Sequence, residues 1–269
     1  RLLPRREAKS CQTRPIGLYQ SLWNQAHLYS RSGSQRPTGN NPRKSAFLVL
    51  DKTMTTLEYI VNKFKVEISS SPDLPIPLRQ INRTLMAQTL GELGFKEGVE
   101  VGVAEGLHAR VLCEHIPPLK LHGVDIYRKY PGYEEYADPQ KCFREAQDRL
   151  KSYNVIFHKQ FSLDAVGQFT DRSLDFVYID GAHDFKSVAQ DICEWSKKVR
   201  LGGIVFGHDY KRWKPWKSRN TIEVRPVVDA YCYAKNIHPW FELTNDIKDP
   251  TFGPDSPGWM FVRQDADKI

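Results

Sequence analysis

From Gly98 onward, short apolar runs alternate with stretches that carry one apolar face. The runs are Val99–Val103, Leu121–Ile126, Val155–His158, Leu174–Ile179 and Gly203–Gly207. Between them, Leu107–His115, Pro139–Ser152, Asp164–Phe169 and Phe185–Val199 carry helical spacing. This alternation predicts a parallel sheet with helices on both faces. Pro226–Asn236 reads as a further helix, and Trp240–Leu243 and Trp259–Arg263 as two closing strands. The Pro/Gly-rich segment KDPTFGPDSPG joins those two, which suits an antiparallel hairpin at one edge. Upstream, Leu57, Ile60, Val61 and Phe64 fall at helical spacing. Ser69–Pro77, SSSPDLPIP, reads as a linker or extended stretch, because its prolines cannot continue a helix. Pro77–Leu93 reads as an amphipathic helix with Ile81, Leu85, Met86, Leu90 and Leu93 on one face, ended by Gly94. The expected organisation is a helical cap over 54–97 and an α/β domain over 98–269, with no internal repeat.

Charge changes this picture at one end only. The net charge is +7, yet residues 1–53 hold ten Lys/Arg against Glu7 and Asp51, or +8. The other 216 residues hold 29 Lys/Arg against 30 acids, or −1. A basic face tracking a nucleic-acid backbone is therefore not expected on the globular part. Residues 1–53 have no sustained period and are rich in Arg, Ser, Gln, Asn and Pro, so they read as a basic disordered tail or a non-native extension. An Arg-rich, acid-poor transit peptide is another reading of the same segment. The five cysteines are widely spaced with no Cys-x-x-Cys pair, which points to free thiols in a reducing, cytoplasmic setting. No apolar run is long enough to span a membrane.

The chemistry begins in GVEVGVAEG, Gly98–Gly106. In an open α/β sheet, ligands sit at the carboxyl ends of the strands. Gly102 and Gly106 let the loop after the first strand turn tightly and approach a ligand. Their Gly-x-x-x-Gly spacing is not the Gly-x-Gly-x-x-Gly of a dinucleotide site. Glu100, inside the strand, is a poor neighbour for pyrophosphate and a good one for an ammonium or sulfonium group. Asp125 ends the next strand, where a carboxylate takes both hydroxyls of a ribose. A ribose plus a cationic amino-acid moiety describes S-adenosylmethionine. A structural alternative stands beside this: Glu100 as a buried ion-pair partner and Asp125 as a helix N-cap.

The stretches VEVGVAEG, GVDIY, DFVYIDGAHDF and GGIVFGHDY resemble the class I S-adenosylmethionine-dependent methyltransferases from Gly98 to about Arg263. The branch most resembled is methyltransferase domain 24, which includes O-methyltransferases of small molecules and sugars. The resemblance implies a Rossmann-like, seven-stranded, mostly parallel sheet with the last strand antiparallel. It assigns the methionine part to Glu100, Gly102 and Gly106, the ribose to Asp125, and the adenine surroundings to Ser162, with Val103, Ile126 and Asp180 also expected at the cofactor.

The fourth strand ends in Asp180-Gly-Ala-His183-Asp184 and the fifth in His208-Asp209-Tyr210, both expected beside the cofactor loop. Methyl transfer needs an acceptor that is positioned and deprotonated. His183 is the expected general base, with Asp180 and His208 as its catalytic companions. Asp180, His208 and Asp209 are also a candidate metal set for magnesium or a similar divalent ion. The spacing resembles that of metal-dependent O-methyltransferases, except that His208 stands where an acid is usual, which also suits a softer ion. Tyr127–Pro139, with four tyrosines, reads as a lid for a ring-shaped acceptor, and Arg212–Lys217, RWKPWK, as a site for an anionic or glycan acceptor. The leading expectation is O-methylation of a small molecule or sugar, by a chain compatible with a homodimer. Competing readings are a nucleic-acid methyltransferase, disfavoured because IDGAH replaces an Asn-Pro-Pro-Tyr type motif, a non-catalytic cofactor-binding subunit, and an NAD-dependent oxidoreductase.

Overall fold

The computed structural model describes residues 54–68, 74–129, 138–214 and 221–269, and all of them fall in one compact unit. The basic tail of residues 1–53, most of the tyrosine segment and the end of RWKPWK lie outside the described residues.

Helix α1 (Thr56–Phe64) starts at a reciprocal cap. The Thr55 side chain accepts from the Glu58 N–H, and Glu58 accepts from the Thr55 N–H. Its buried residue is Ile60, and Thr56 Oγ1 donates to the Gly202 carbonyl at 2.7 Å. Strand β1 (Ile76–Leu78) follows, then α2 (Arg83–Glu92), β2 (Glu97–Val101), α3 (Leu107–His115), β3 (Lys120–Val124), α4 (Pro139–Leu150) and β4 (Asn154–His158). Next come α5 (Ser162–Val166), β5 (Leu174–Ile179), α6 (Phe185–Lys198), β6 (Val199–Gly207), α7 (Val224–Lys235), β7 (Trp240–Leu243) and β8 (Gly258–Val262).

The strands form one sheet in the order β1-β7-β8-β6-β5-β2-β3-β4. Strand β8 runs antiparallel to both neighbours, β6 and β7, and all other pairs are parallel. The sheet thus has eight strands rather than the expected seven. The extra one is β1, from the end of the segment read as a linker. Ile76 and Leu78 are buried beside Phe241 and Leu243, while Pro77 points outward. An edge strand tolerates a proline because one side of its ladder has no partner. The expected helix over 77–93 is correspondingly shorter. It begins after Asn82, whose side chain accepts from the Leu85 N–H at 2.7 Å. The segment over 54–97 is therefore not a purely helical cap, since one of its elements completes the sheet.

Alternation along the strands divides the core in two. Phe176, Tyr178 and Phe206 point to the face covered by α1 to α4. Val99, Val101, Val177 and Ile179 point to the face covered by α5 to α7. All strands but β8 end on the same edge, so the loops after β2, β3, β4, β5 and β6 gather there. Cys113, Cys142, Cys193 and Cys232 are free thiols. No described helix is long and apolar enough to cross a membrane.

Candidate active site

A cavity of about 380 Å³ opens at this edge. Its wall includes Gly102 after β2, Asp125 and Ile126 after β3, Gln160 to Asp164 after β4, Gly181 and Ala182 after β5, and Ser187, Gln190 and Asp191 of α6.

Gly102 has φ +88°, and a Cβ there would stand 2.1 Å from the Asp180 carbonyl oxygen. Only glycine lets the β2 loop pass this close to the end of β5. Asp125 braces the same loop. Its Oδ2 accepts from the N–H groups of Val103 at 3.1 Å and Ala104 at 3.0 Å, and its Oδ1 accepts from the Tyr127 N–H at 3.0 Å.

At the far end, Ser162 Oγ donates to Asp191 Oδ1 at 2.6 Å and accepts from Trp195 Nε1 at 2.7 Å. Burial pushes the Asp191 carboxyl up to about 6, although the Ser162 hydroxyl partly offsets it. Asp191 was missed in the sequence, yet it carried a signal. Val188, Asp191, Ile192 and Trp195 fall at i, i+3, i+4 and i+7, an acid inside an apolar stripe. The native state holds this proton more tightly than the unfolded chain does. Its contribution to stability is therefore present at low pH and is lost as pH rises from 3.8 through 6. Asp191→Asn is expected to stabilise the protein by about 1–3 kcal/mol near pH 8 and much less near pH 4. Urea unfolding at both pH values checks this, and an equal gain at both would refute it.

Of the residues expected at a cofactor, Gly102, Asp125, Ile126 and Ser162 line the cavity. The rest lie elsewhere. Val103 touches Asp125 only through its N–H, and Gly106 packs against Ala146 and Leu150 as the N-cap of α3. Glu100 is fully buried on the other sheet face, with Oε1 at 3.2 Å from His108 Nδ1. Burial drives its carboxyl well above the usual range, and its side chain is not part of the cavity wall. The period-two pleat decides this. Glu100 shares its side with Tyr178 and Phe206, and Val101 takes the cavity side.

Beside the cavity, Asp180, His183 and Asp209 converge. His183 Nε2 lies 3.3 Å from Asp180 Oδ1 and 3.3 Å from Asp209 Oδ2. Tyr178 donates its hydroxyl to Asp180 Oδ2 at 3.2 Å, and Lys211 Nζ lies 2.7 Å from Asp209 Oδ1. Burial would raise both carboxyls. For Asp180 the His208, His183 and Arg83 side chains outweigh it, and for Asp209 the His208, Lys211 and His183 side chains do, so both stay ionised.

His208 departs from expectation. Its Nδ1 faces Asp209 Oδ2 at 3.6 Å and Asp180 Oδ1 at 3.8 Å, but its Nε2 lies 3.0 Å from Asp255 Oδ1. Burial lowers its pKa, yet Asp180, Asp209 and Asp255 more than offset this and hold it at about 9. His183 takes its place in the set that could hold a metal, where the donor atoms all lie within 4.8 Å of one another.

Residues 99–210 match the family described as Methyltransferase domain. This stretch of the chain is similar to a methyltransferase domain. Two solved structures show the fold at low identity. The O-methyltransferase TomG of Streptomyces achromogenes, involved in tomaymycin synthesis and bound to S-adenosylmethionine, is 16% identical with a TM-score of 0.50. It matches over 80% of this chain and 92% of its own. The O-methyltransferase of Bacillus cereus bound to S-adenosylhomocysteine is 14% identical with a TM-score of 0.50, over 80% and 94% of the two chains. The curated proteins contain no match. The match ends at Tyr210, so α1, β1 and α2 precede the matched residues and α7, β7 and β8 follow them.

Proposed function

We propose that this chain transfers a methyl group from S-adenosylmethionine to an oxygen of a small-molecule acceptor. The carrying observation is the cavity lined by Gly102, Asp125 and Ser162, whose wall at Gly181 and Ala182 adjoins Asp180, His183 and Asp209. Asp125 binds the ribose hydroxyls, and Ser162 and Asp191 bound the adenine end. The names of the two fold neighbours, both O-methyltransferases, support oxygen as the acceptor atom.

Asp180 and Asp209 orient the His183 ring by accepting at Nε2, and the oriented imidazole is the proposed base for the acceptor's proton. The same three side chains form a second arrangement, because two carboxylates and an imidazole suit a divalent cation. A cation held by Asp180, His183 and Asp209 would supply Lewis acidity at the acceptor oxygen.

Calorimetric titration with S-adenosylmethionine, S-adenosylhomocysteine and NAD tests the cofactor. Binding of the two sulfur compounds and not of NAD is expected, and a folded sample that binds neither sulfur compound sinks the proposal. Screening hydroxylated acceptors for S-adenosylhomocysteine release then tests the reaction. Full turnover in excess chelator would assign His183 as the base, whereas loss restored by a divalent ion would assign it as a ligand.

A further inference from the structure

Arg83 opens α2, outside the residues that match the methyltransferase family, and its largely buried guanidinium reaches the centre just described. Its Nε and Nη2 hold both oxygens of Asp255, at 2.5 and 3.0 Å. That fork is the bidentate geometry that fixes a carboxylate in direction as well as distance. Arg83 Nη2 and His208 Nε2 lie 2.8 Å apart, and each is 3.0 Å from the same oxygen, Asp255 Oδ1. The Ser256 N–H donates to that oxygen too, at 2.9 Å. Asp255 thus contacts both side chains through one oxygen, and it ties the His208 ring to α2. On its other side Arg83 Nη1 is 3.8 Å from Asp180 Oδ2, and the guanidinium lies over the Phe252 ring at 4.5 Å.

The pair is moored. The start of α2 and the β7–β8 connection are joined by four further contacts. Asp249 accepts from the Thr84 N–H at 2.9 Å and from Thr84 Oγ1 at 3.1 Å. Asp246 accepts from the Gln80 N–H at 2.7 Å, and the Asn82 side chain donates to the Lys248 carbonyl at 3.4 Å. A buried ion pair is weak evidence for stability and better evidence for a fixed geometry. Here the geometry fixed is that of His208, whose Nδ1 is presented to Asp180 and Asp209.

We propose that Arg83 and Asp255 are positioning residues for methyl transfer, clamping the His208 ring against Asp180 and Asp209 from two segments outside the residues that match the methyltransferase family. This rests on the function proposed above. They touch neither cofactor nor acceptor. They act through His208, which holds the two carboxylates that orient His183.

The test uses the full chain with Arg83→Met, Asp255→Asn, Arg83→Lys and the double variant Arg83→Met/Asp255→Asn. S-adenosylmethionine affinity is read first and is expected to stay within about threefold of wild type, since neither residue lines the cavity. With the acceptor that releases most S-adenosylhomocysteine, each of Arg83→Met and Asp255→Asn is expected to lower kcat by about tenfold or more at little-changed KM. Arg83→Lys recovers part of that loss. The double variant is no slower than the slower single one, because both act through one ring. Nitrogen-15 spectra of labelled histidine, with the His208 signals assigned by His208→Gln, are expected to shift in both single variants. Unchanged His208 signals, unchanged kcat, or additive losses would each overturn the proposal. Failure of the wild type to bind S-adenosylmethionine would instead sink the underlying function, while the histidine spectra would still report on the clamp.

Discussion

Asp125→Ala is expected to weaken S-adenosylmethionine binding by two orders of magnitude or more. The carboxylate has two duties at the end of β3. In the proposed function it binds the ribose hydroxyls from the cavity wall, and in the structure it accepts from the N–H groups of Val103, Ala104 and Tyr127. A hydrogen bond to a charged group is worth about 1.5–3 kcal/mol, so losing two of them alone corresponds to roughly a hundredfold or more in Kd. Losing the brace on the Gly102–Gly106 loop adds to this. Asp125→Asn keeps the shape and one acceptor oxygen and should fall between wild type and alanine. Calorimetric titration at constant ionic strength reads both variants. A Kd for Asp125→Ala within threefold of wild type would mean the ribose does not sit there.

The second large effect is on turnover rather than affinity. Asp180→Ala is expected to reduce the rate of methyl transfer about a thousandfold, with cofactor affinity changed only a few-fold. Asp180 is placed by its N–H, which donates to the Val101 carbonyl at 2.8 Å, and its side chain meets His183, Tyr178, Arg83 and His208. Without it, His183 loses one of its two orienting carboxylates and His208 one of three. The buried cations then face too little negative charge, and the cluster rearranges or takes up water. Single-turnover release of S-adenosylhomocysteine separates this step from binding. A variant that turns over at more than about a tenth of the wild-type rate would remove Asp180 from the chemistry.

Both side chains stood out in the sequence because each ends an apolar run, Asp125 in GVDIY and Asp180 in YIDGAH. Strand ends are legible, since the run stops where the backbone leaves the core. The register of Glu100 was less so. It lies two residues before Gly102 and shares the opposite face with Tyr178, so proximity in sequence to the cofactor loop did not give proximity to the cavity. Arg83 and Asp191 carried a different signal, a charge inside an apolar helical stripe. Arg83, Met86, Ala87 and Leu90 repeat at i, i+3, i+4 and i+7, as Asp191 does with Val188, Ile192 and Trp195. Such a residue is buried with its stripe, and it needs a partner that periodicity cannot name.

The sequence by itself determined the alternating α/β architecture, the edge at which the loops collect, the closing antiparallel hairpin and the glycines of the loop after β2. These follow from period and from local backbone geometry, which are properties of neighbouring residues. The tertiary structure alone decided the eighth strand, the exchange of His183 for His208 among the converging ligands, and the clamp of Arg83 and Asp255 on His208. Each of these joins residues distant in sequence. Ile76 pairs with Phe241, and Arg83 meets Asp255 across 172 positions. No local pattern encodes such a meeting, because whether a buried charge is satisfied depends on which distant segment packs against it.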